Sequence, residues 1–276
     1  MSPDFSVRGN GATLSGQESG SGPPVVLLHG LTATRRYVVM GSRVLEQAGH
    51  RVIAYDARGH GRSSPAADAR AYGYEHLVDD LEALLDALEI ERAALAGASM
   101  GAHTALALAL RRPERVGALA LITPSFDPVD PRTGQELAGW DALASGLREG
   151  GVEGFVEAYD LDRVPVAWRE TVEKVLRQRL AAHEHPDAVA DALEAVPRSR
   201  PFEQMGELAA IEVPTLVVAS RDEADPGHPL AVGERYAKAI PHAHLIVEPP
   251  GTPPRSPIAW QGGQLSKLLA DLLRRA

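Results

Sequence analysis

The stretch Gly97-Ala98-Ser99-Met100-Gly101 holds the residues of this chain that are best suited to chemistry. A serine at the tip of a sharp turn between a strand and a helix sits in a strained backbone, so small residues are needed two positions before and after it. Such a turn lifts the hydroxyl out of the sheet, and the following helix directs its positive end at any anion that forms there. Ser99 is therefore predicted to be a nucleophile.

The segments on both sides of this turn have the composition that it requires. Residues 92–96 are predicted to form a short strand that is buried on both faces, and residues 102–110 a tightly packed helix that stops at Pro113. The five-residue pattern alone is short enough to occur by chance. The strand and the helix around it make the signal strong.

The rest of the chain alternates buried strands with amphipathic helices. Further strands are predicted at residues 25–28, 51–56, 117–122, 215–219 and 244–248, and further helices at 36–48, 75–89, 230–239 and 261–275. Strands that are apolar on both faces and separated by helices indicate an α/β fold with a mostly parallel sheet covered by helices on both faces. Residues 5–14 can add an antiparallel hairpin at one edge.

Residues 123–200 break this alternation, because they contain several helical stretches and no convincing strand. We interpret them as a helical lid inserted before the last two strands, with residues 1–122 and 201–276 forming the core domain. The lid contains the aromatic residues Trp140, Phe155, Tyr159 and Trp168. Aromatic side chains in such a layer commonly pack it onto the sheet. We expect Trp140 and Tyr159 also to contact a substrate.

Composition and charge exclude several classes of function. The chain has 276 residues, 44% hydrophobic and 24% charged, as a soluble protein with one large domain or a core with an insertion would have. A net charge of -9 argues against nucleic acid and anionic membrane surfaces, and no apolar run is long enough to span a membrane. The absence of cysteine excludes disulfides, thiolate zinc sites and cysteine nucleophiles.

The remaining expectations about surroundings follow from the same composition. The first residues show no signal segment, so we expect a cytoplasmic protein. We expect a monomer or a homodimer that binds a small-molecule substrate and needs no cofactor and no metal ion.

Three motifs make the chain resemble the α/β-hydrolase superfamily over nearly its whole length. His29-Gly30-Leu31 closes the first central strand, residues 56–63 follow the next strand, and residues 97–101 form the turn at Ser99. In this family the serine attacks an acyl carbon, and two backbone N–H groups hold the resulting oxyanion. The resemblance implies that these N–H groups belong to Leu31 and Met100.

The resemblance also implies supporting residues and an acid. His29, Arg58 and His60 are expected to brace the loops beneath the site rather than to transfer protons. In the family, a carboxylate after the strand that follows the lid orients the base. Here that loop contains Asp222 and Asp225, and we favour Asp225 because Pro229 stands four residues after it, as in the family. Asp222 remains the alternative.

The base is the point where this sequence departs from the family. The family histidine follows the last strand, whereas the last histidine of this chain, His244, begins that strand. Arg255 stands at the best-matching position, and an arginine stays protonated and cannot accept the proton of a serine. The ordinary triad is therefore absent as written. His228, in the loop that carries the acid, is the first candidate for the base.

Two other interpretations of the base remain open. A histidine from the helix after Ser99 or from the lid can serve, although His103 has the pattern of a packed helix residue and His183 and His185 that of a solvated helix end. A metal at the two lid histidines is a weaker idea still, because alternate residues on a helix diverge. The site can also lack a base, which would leave Ser99 as a hydrogen-bond donor.

Three functions are compatible with these observations. The leading hypothesis is hydrolysis of a small ester, lactone or related acyl compound through an acyl-enzyme on Ser99, as in an esterase or a lactonase. The second is a non-hydrolytic lyase, cyclase or C–C bond-cleaving enzyme on the same fold, in which Arg255 holds an anionic substrate. The third is a small-molecule binding protein without turnover. The fold alone does not choose among them.

Overall fold

An eight-stranded sheet organises the residues that the computed structural model describes, which are 4–130, 132–221, 225–247 and 257–275. The strands are β1 (Asp4–Arg8), β2 (Thr13–Ser19), β3 (Pro24–Leu28), β4 (Arg51–Tyr55), β5 (Ala93–Ala98), β6 (Val116–Ile122), β7 (Thr215–Ala219) and β8 (His244–Val247). Their order across the sheet is β1-β2-β4-β3-β5-β6-β7-β8. The pairs β1–β2 and β2–β4 are antiparallel, and the other pairs are parallel. The predicted fold class is confirmed.

Helices cover the two faces of this sheet. They are α1 (Val44–Gln47), α2 (Tyr74–Ala87), α3 (Met100–Arg111), α7 (Leu230–Ala239) and α8 (Gly262–Leu273). Successive side chains of a strand point to opposite faces. In β3, Val26 and Leu28 therefore join the core under α2, α3 and α7, whereas Val25 and Leu27 join the core under α1 and α8. This is why the central strands are apolar at every position.

The helix predicted at residues 36–48 is wrong over most of its length. The structure has only a 3-10 turn at Arg35–Tyr37 and the four-residue helix α1. Met40 and Gly41 adopt positive φ angles of 50° and 77°, a conformation that interrupts a right-handed helix. The apolar spacing of this segment instead places Val38 and Val39 in the core under α1 and α8.

Between β6 and β7 lies a helical layer, which we define as α4 (Gly134–Ala158), α5 (Val166–Leu180) and α6 (Pro186–Ala195). Helix α4 folds back on itself at Gly151, whose φ is 61°. Its two halves meet so closely that a Cβ on Gly146 would lie 2.4 Å from the carbonyl oxygen of Gly154. The layer has its own apolar core, and this core includes Leu31 and Met100. The helical layer therefore packs directly against the two residues that flank Ser99 in the predicted site.

Two further findings on the described ranges concern membrane-spanning helices and groups of metal ligands. None of their helices is both long enough and apolar enough to cross a membrane. Nor do these ranges contain a group of three or more histidine and acidic residues that could hold a metal ion.

A buried ion pair joins the loop after β4 to α2. Arg58 donates from Nε and Nη2 to the two carboxylate oxygens of Asp80 at 2.7 and 2.8 Å, and both side chains are 1% exposed. Its remaining N–H groups reach the carbonyl oxygens of Asn10 and Ala71 at 2.8 and 2.7 Å. Arg58 thus ties the β1–β2 hairpin, the loop after β4 and α2 to one another.

We expect Asp80→Asn to lower the free energy of unfolding by about 3–5 kcal/mol, because Arg58 would keep a buried charge without a counter-charge. Urea denaturation measures the loss. The matched control is Asp79→Asn, since Asp79 pairs with Arg111 at the surface at 2.7 Å. An exposed pair contributes about 0–1 kcal/mol. Equal losses for the two variants would contradict the assignment.

Candidate active site

Ser99 stands between β5 and α3 in a strained backbone conformation, with φ 49° and ψ −111°. A Cβ on Gly97 would lie 2.2 Å from the carbonyl carbon of Gly101, and a Cβ on Gly101 would lie 2.3 Å from the carbonyl oxygen of Leu28. Both positions therefore accept only glycine, because β5, α3 and β3 meet there backbone to backbone. Ser99 itself is only partly buried.

His228 lies between Ser99 and Asp225 in a continuous series of hydrogen bonds. Its Nε2 is 2.9 Å from Ser99 Oγ, and its Nδ1 is 2.9 Å from Asp225 Oδ1. The loop between β7 and α7 carries both residues, and within it the N–H of His228 donates to the carbonyl of Asp225 at 3.1 Å. A carboxylate accepts a proton from Nδ1, which leaves Nε2 as the acceptor for the serine hydroxyl.

The electrostatics of this series favour a charged histidine. Burial disfavours the imidazolium, but the charge and the hydrogen bond of Asp225 outweigh it, and the pKa of His228 is raised above its ordinary value. Arg179 and Arg132 act in the opposite direction. Burial also disfavours the carboxylate, yet His228 and then Arg179 hold the pKa of Asp225 below its usual range. Each partner therefore stabilises the charge of the other.

An oxyanion would need backbone N–H groups that donate to nothing else, and the backbone around Leu31 and Met100 offers such groups. Met100 opens α3, where the first N–H groups have no acceptor within the helix. The N–H of Leu31 donates to no acceptor in the described parts of the chain. Gly30 brings the loop of Leu31 beside Ser99, since a Cβ on Gly30 would lie 3.6 Å from Ser99 Cβ.

Two buried histidines support the loop that contains Leu31. His29 donates from Nδ1 to the carbonyl of Gly30 at 2.8 Å, and its Nε2 accepts the N–H of Ala57 at 2.9 Å. Burial lowers the pKa of His29 to about 3, so it is neutral at working pH. His60 Nε2 lies 2.6 Å from the carbonyl oxygen of Leu31. Both rings bind backbone, and neither is hydrogen-bonded to Ser99.

The lid histidines were predicted to form a solvated helix end, and for His183 this is wrong. Its Nδ1 accepts the N–H of Gly61 at 2.9 Å, and its Nε2 faces the carbonyl of Thr32 at 3.3 Å. Burial lowers its pKa to about 3. His183 therefore connects the helical layer to the loop that follows Leu31. The contact is distant in sequence, and no local pattern predicts it.

His103 has both ring nitrogens bound away from Ser99. Its Nδ1 is 2.9 Å from the hydroxyl of Tyr74, and its Nε2 accepts the N–H groups of Ser125 and Phe126 at 3.1 Å. Burial lowers its pKa to about 3. Of the histidines weighed from the sequence, only His228 is hydrogen-bonded to Ser99.

The predicted substrate-contacting residues have different positions. Trp140 and Tyr159 pack against the core of the helical layer that includes Leu31 and Met100. Burial and then the charge of Asp225 raise the pKa of Tyr159. Arg255 and Asp222 lie outside the described residues.

Sequence reasoning missed Arg179, which the end of α5 brings to the site. Its guanidinium carbon lies 5.3 Å from the centre of the Tyr37 ring, and its charge acts on both Asp225 and His228. The sequence of α5 also contains Arg169 and Arg177, which form ion pairs, and no feature of the pattern distinguishes Arg179 from them.

A cavity of about 800 Å³ lies away from this group of residues. It opens beside β2 and β4, and its lining includes Arg35, Glu46 and Asp56. Neither Ser99 nor His228 contributes to it, so it has no part in the chemistry considered below.

Comparison with known proteins places this geometry in a family. A family profile described as alpha/beta hydrolase fold matches residues 23–252. The putative carbamate hydrolase RutD of Variovorax paradoxus (strain S110) is 31% identical over 255 residues, which are 92% of this chain and 92% of that protein. The 2-hydroxy-6-oxononadienedioate/2-hydroxy-6-oxononatrienedioate hydrolase 2 of Pseudomonas putida is 34% identical over 232 residues, 81% of this chain and 78% of that protein.

A solved structure agrees with these sequence matches. The enol-lactonase from Burkholderia xenovorans LB400 is similar over 99% of this chain and 100% of its own, with a TM-score of 0.77 and 27% identity. The profile covers most of the chain, and the relatives match it over most of their length. The chain therefore belongs to the α/β-hydrolase family, and it is a hydrolase built on that fold.

Proposed function

We propose that the protein hydrolyses a small ester, lactone or related acyl compound through an acyl-enzyme on Ser99. The observation that carries this proposal is the series Asp225–His228–Ser99, with 2.9 Å at each hydrogen bond. A serine hydroxyl is a poor nucleophile until a base accepts its proton. The names of the relatives, a putative carbamate hydrolase and an enol-lactonase among them, support a substrate with a reactive carbonyl.

In the first half-reaction, Ser99 Oγ attacks the carbonyl carbon while His228 Nε2 takes the hydroxyl proton. The carbonyl oxygen becomes an oxyanion that accepts hydrogen bonds from the N–H groups of Leu31 and Met100. Asp225 stabilises the imidazolium that forms. When the intermediate collapses, His228 returns the proton to the leaving oxygen and the acyl group stays on Ser99.

In the second half-reaction, a water molecule replaces the leaving group. His228 takes a proton from this water as its oxygen attacks the acyl carbon, and the same two N–H groups hold the second oxyanion. Collapse breaks the bond to Ser99 Oγ, which recovers its proton from His228. The products are the free acid and, from the first half-reaction, the alcohol. A lactone gives a single hydroxy acid.

The base in this proposal comes from the acid loop rather than from the segment after the last strand. Asp225 and His228 are three residues apart, and one backbone hydrogen bond links them at 3.1 Å. Arg255 therefore need not replace a histidine for the proposed chemistry to proceed. The departure from the family pattern that the sequence shows is compatible with an active enzyme.

The nucleophile is tested with a fluorophosphonate probe and peptide mass spectrometry. We expect Ser99 to be labelled on the folded protein, and Ser99→Ala to lower kcat for a para-nitrophenyl ester by at least about 1000-fold. Ser125→Ala is the matched control, because Ser125 lies in the loop after β6 and its hydroxyl is outside the hydrogen-bonded series. Folded wild-type protein in which Ser99 stays unlabelled would contradict the proposal.

The pH dependence tests the base. Because the pKa of His228 is raised, the neutral form that accepts a proton exists only above this raised value. We expect kcat/KM for a neutral ester to rise with pH, with a midpoint above the ordinary histidine value of about 6.5. His228→Ala should abolish turnover and, with it, the rise of kcat/KM with pH. A near-normal rate in His228→Ala would assign the base elsewhere.

The acid is tested by the same measurement. Asp225→Asn removes the charge that raises the pKa of His228, so the midpoint should move to lower pH while kcat falls by roughly 1000-fold or more. Asp222→Asn is the matched control. If Asp222→Asn rather than Asp225→Asn shifts the midpoint, Asp222 is the acid.

His183 is expected to act as a positioning residue for the loop of Leu31. His183→Ala removes the acceptor of the Gly61 N–H and the contact with Thr32, so an oxyanion donor loses its alignment. We expect kcat to fall by about 10-fold or more with little change in KM, since a whole donor contributes about 3 kcal/mol. His185→Ala, from the same segment, should keep the wild-type kcat. Equal effects of the two variants would contradict this role.

A further inference from the structure

We infer that Arg179 recognises an anionic group of the substrate, so that the Ser99 site prefers acyl compounds that also carry a carboxylate. This inference rests on the proposed function and narrows it to a class of substrate. It depends on three observations: the missing partners of Arg179, its closeness to the proposed triad, and the contrast with a neighbouring arginine.

The first observation is an arginine with one buried donor that is not used. Arg179 Nε is inaccessible to solvent and has no hydrogen-bond partner. Within the described ranges no carboxylate forms an ion pair with this side chain, and its defined contact is the face of the Tyr37 ring, 5.3 Å from the guanidinium carbon. A partly desolvated charge that forms no ion pair is unfavourable in the free protein. An incoming anion would relieve that cost.

The second observation is where the charge lies. The groups whose charges act on Arg179 are Asp225, Tyr37 and Tyr159. Leu176 and Leu180, which lie beside Arg179 on α5, belong to the apolar core that includes Leu31 and Met100, so this part of α5 packs against the residues next to Ser99. The charge of Arg179 also acts on His228 and Asp225. The charge of Asp225 acts on Arg179, but no hydrogen bond or ion pair joins these two described residues, and Asp225 Oδ1 accepts from His228 Nδ1 at 2.9 Å.

The third observation is the contrast with Arg177 on the same helix. Arg177 binds the carboxylate of Glu153 at 2.9 and 2.8 Å and that of Glu173 at 3.1 Å, near the surface. Acidic partners are therefore provided for the exposed arginine of α5 and not, among the described residues, for the buried one. A cation that binds a ligand needs donors that no carboxylate of the protein already occupies, and Arg179 meets this need.

The chemistry of the guanidinium selects the kind of anion. Its planar N–H donors match the two oxygens of a carboxylate, and such charge-assisted pairs are stronger than neutral hydrogen bonds. The Tyr37 ring covers one face of the guanidinium, which leaves the donors at its edge for the ligand. Arg132 adds a second positive charge that reaches His228, so the potential at the site attracts anions.

A competing explanation is that Arg179 acts on the reaction only through Asp225 and His228. In that case its removal would affect every ester by the same factor. Recognition of a carboxylate predicts a loss that depends on the substrate, and the two explanations therefore differ in a measurable way.

The experiment compares two esters of equal acyl length, para-nitrophenyl hexanoate and the mono-para-nitrophenyl ester of adipic acid, which ends in a carboxylate instead of a methyl group. We expect the wild type to favour the adipate ester in kcat/KM. Arg179→Gln should lower that preference by about 10- to 100-fold, mainly through KM, because a hydrogen-bonded charge pair is lost. The matched control, Arg177→Gln, should keep the wild-type preference.

Arg179→Lys keeps the charge but loses the paired donors, so it should retain part of the preference. Thermal melting of each variant verifies that it is folded, and Arg179→Lys serves as the test if Arg179→Gln does not fold. A wild type without preference for the adipate ester, or an equal loss for both esters in Arg179→Gln, would overturn the inference and leave the proposed function standing.

The inference also has a readout that does not need turnover. If Ser99 is not labelled and neither ester is hydrolysed, the proposed function fails. Calorimetric titration of adipate into the wild type and Arg179→Gln then decides the anion site separately. Binding that is at least about 10-fold weaker in the variant supports it. Equal binding, or no binding to either protein, overturns it.

Discussion

The contact between three backbones at Gly97 and Gly101 determines where the hydroxyl of Ser99 stands. β5 must end, and α3 must begin, within van der Waals distance of β3, and each of these glycines faces a carbonyl group where a side chain would otherwise project. The positive φ of Ser99 is the local cost of that approach. Everything else in the proposed site is arranged around a point that the sheet itself holds in place.

The surrounding groups reach that point from loops at the same end of the sheet. The loop after β3 brings Leu31, the loop after β7 brings Asp225 and His228, and the helical layer brings Arg179. Buried ion pairs and neutral histidines hold these loops from behind: Arg58 binds Asp80, and His29 binds the backbone on both sides of its ring. The polar groups behind the proposed site thus have hydrogen-bond partners within the protein. The N–H groups of Leu31 and Met100, which face Ser99 in the proposal, remain for a substrate.

Sequence reasoning predicted the fold and the turn at Ser99, because both depend on local patterns. Apolar strands, helical spacing and the small residues of the turn are all read within a few positions. The prediction of a helix at residues 36–48 was wrong for a local reason too, since the φ angles of Met40 and Gly41 are positive and lie outside the right-handed helical region. His228 could be named only as one candidate among several, because its distance to Ser99 is set by two separate loops.

The positions of His183 and Arg179 were not predicted from the sequence, and the cause is different. Arg179 belongs to α5 and His183 to the connection between α5 and α6, and the local sequence of both has the composition of an exposed segment. Their surroundings come from contacts with Tyr37 and Gly61, far away along the chain. A pattern within one helix cannot report what will cover it. Interpreting a charged side chain in such a layer requires knowing which neighbour it meets and which of its donors remain unused.

The placement of Asp225 and His228 on a single short loop has a mechanical consequence. If that loop shifts as a body, the carboxylate and the imidazole travel with each other, so their separation persists while the gap to the serine oxygen opens. The hydrogen bond between Asp225 and His228 is then held more tightly than the one between His228 and Ser99. Thermal motion of that loop would separate Ser99 from His228 before it separates His228 from Asp225.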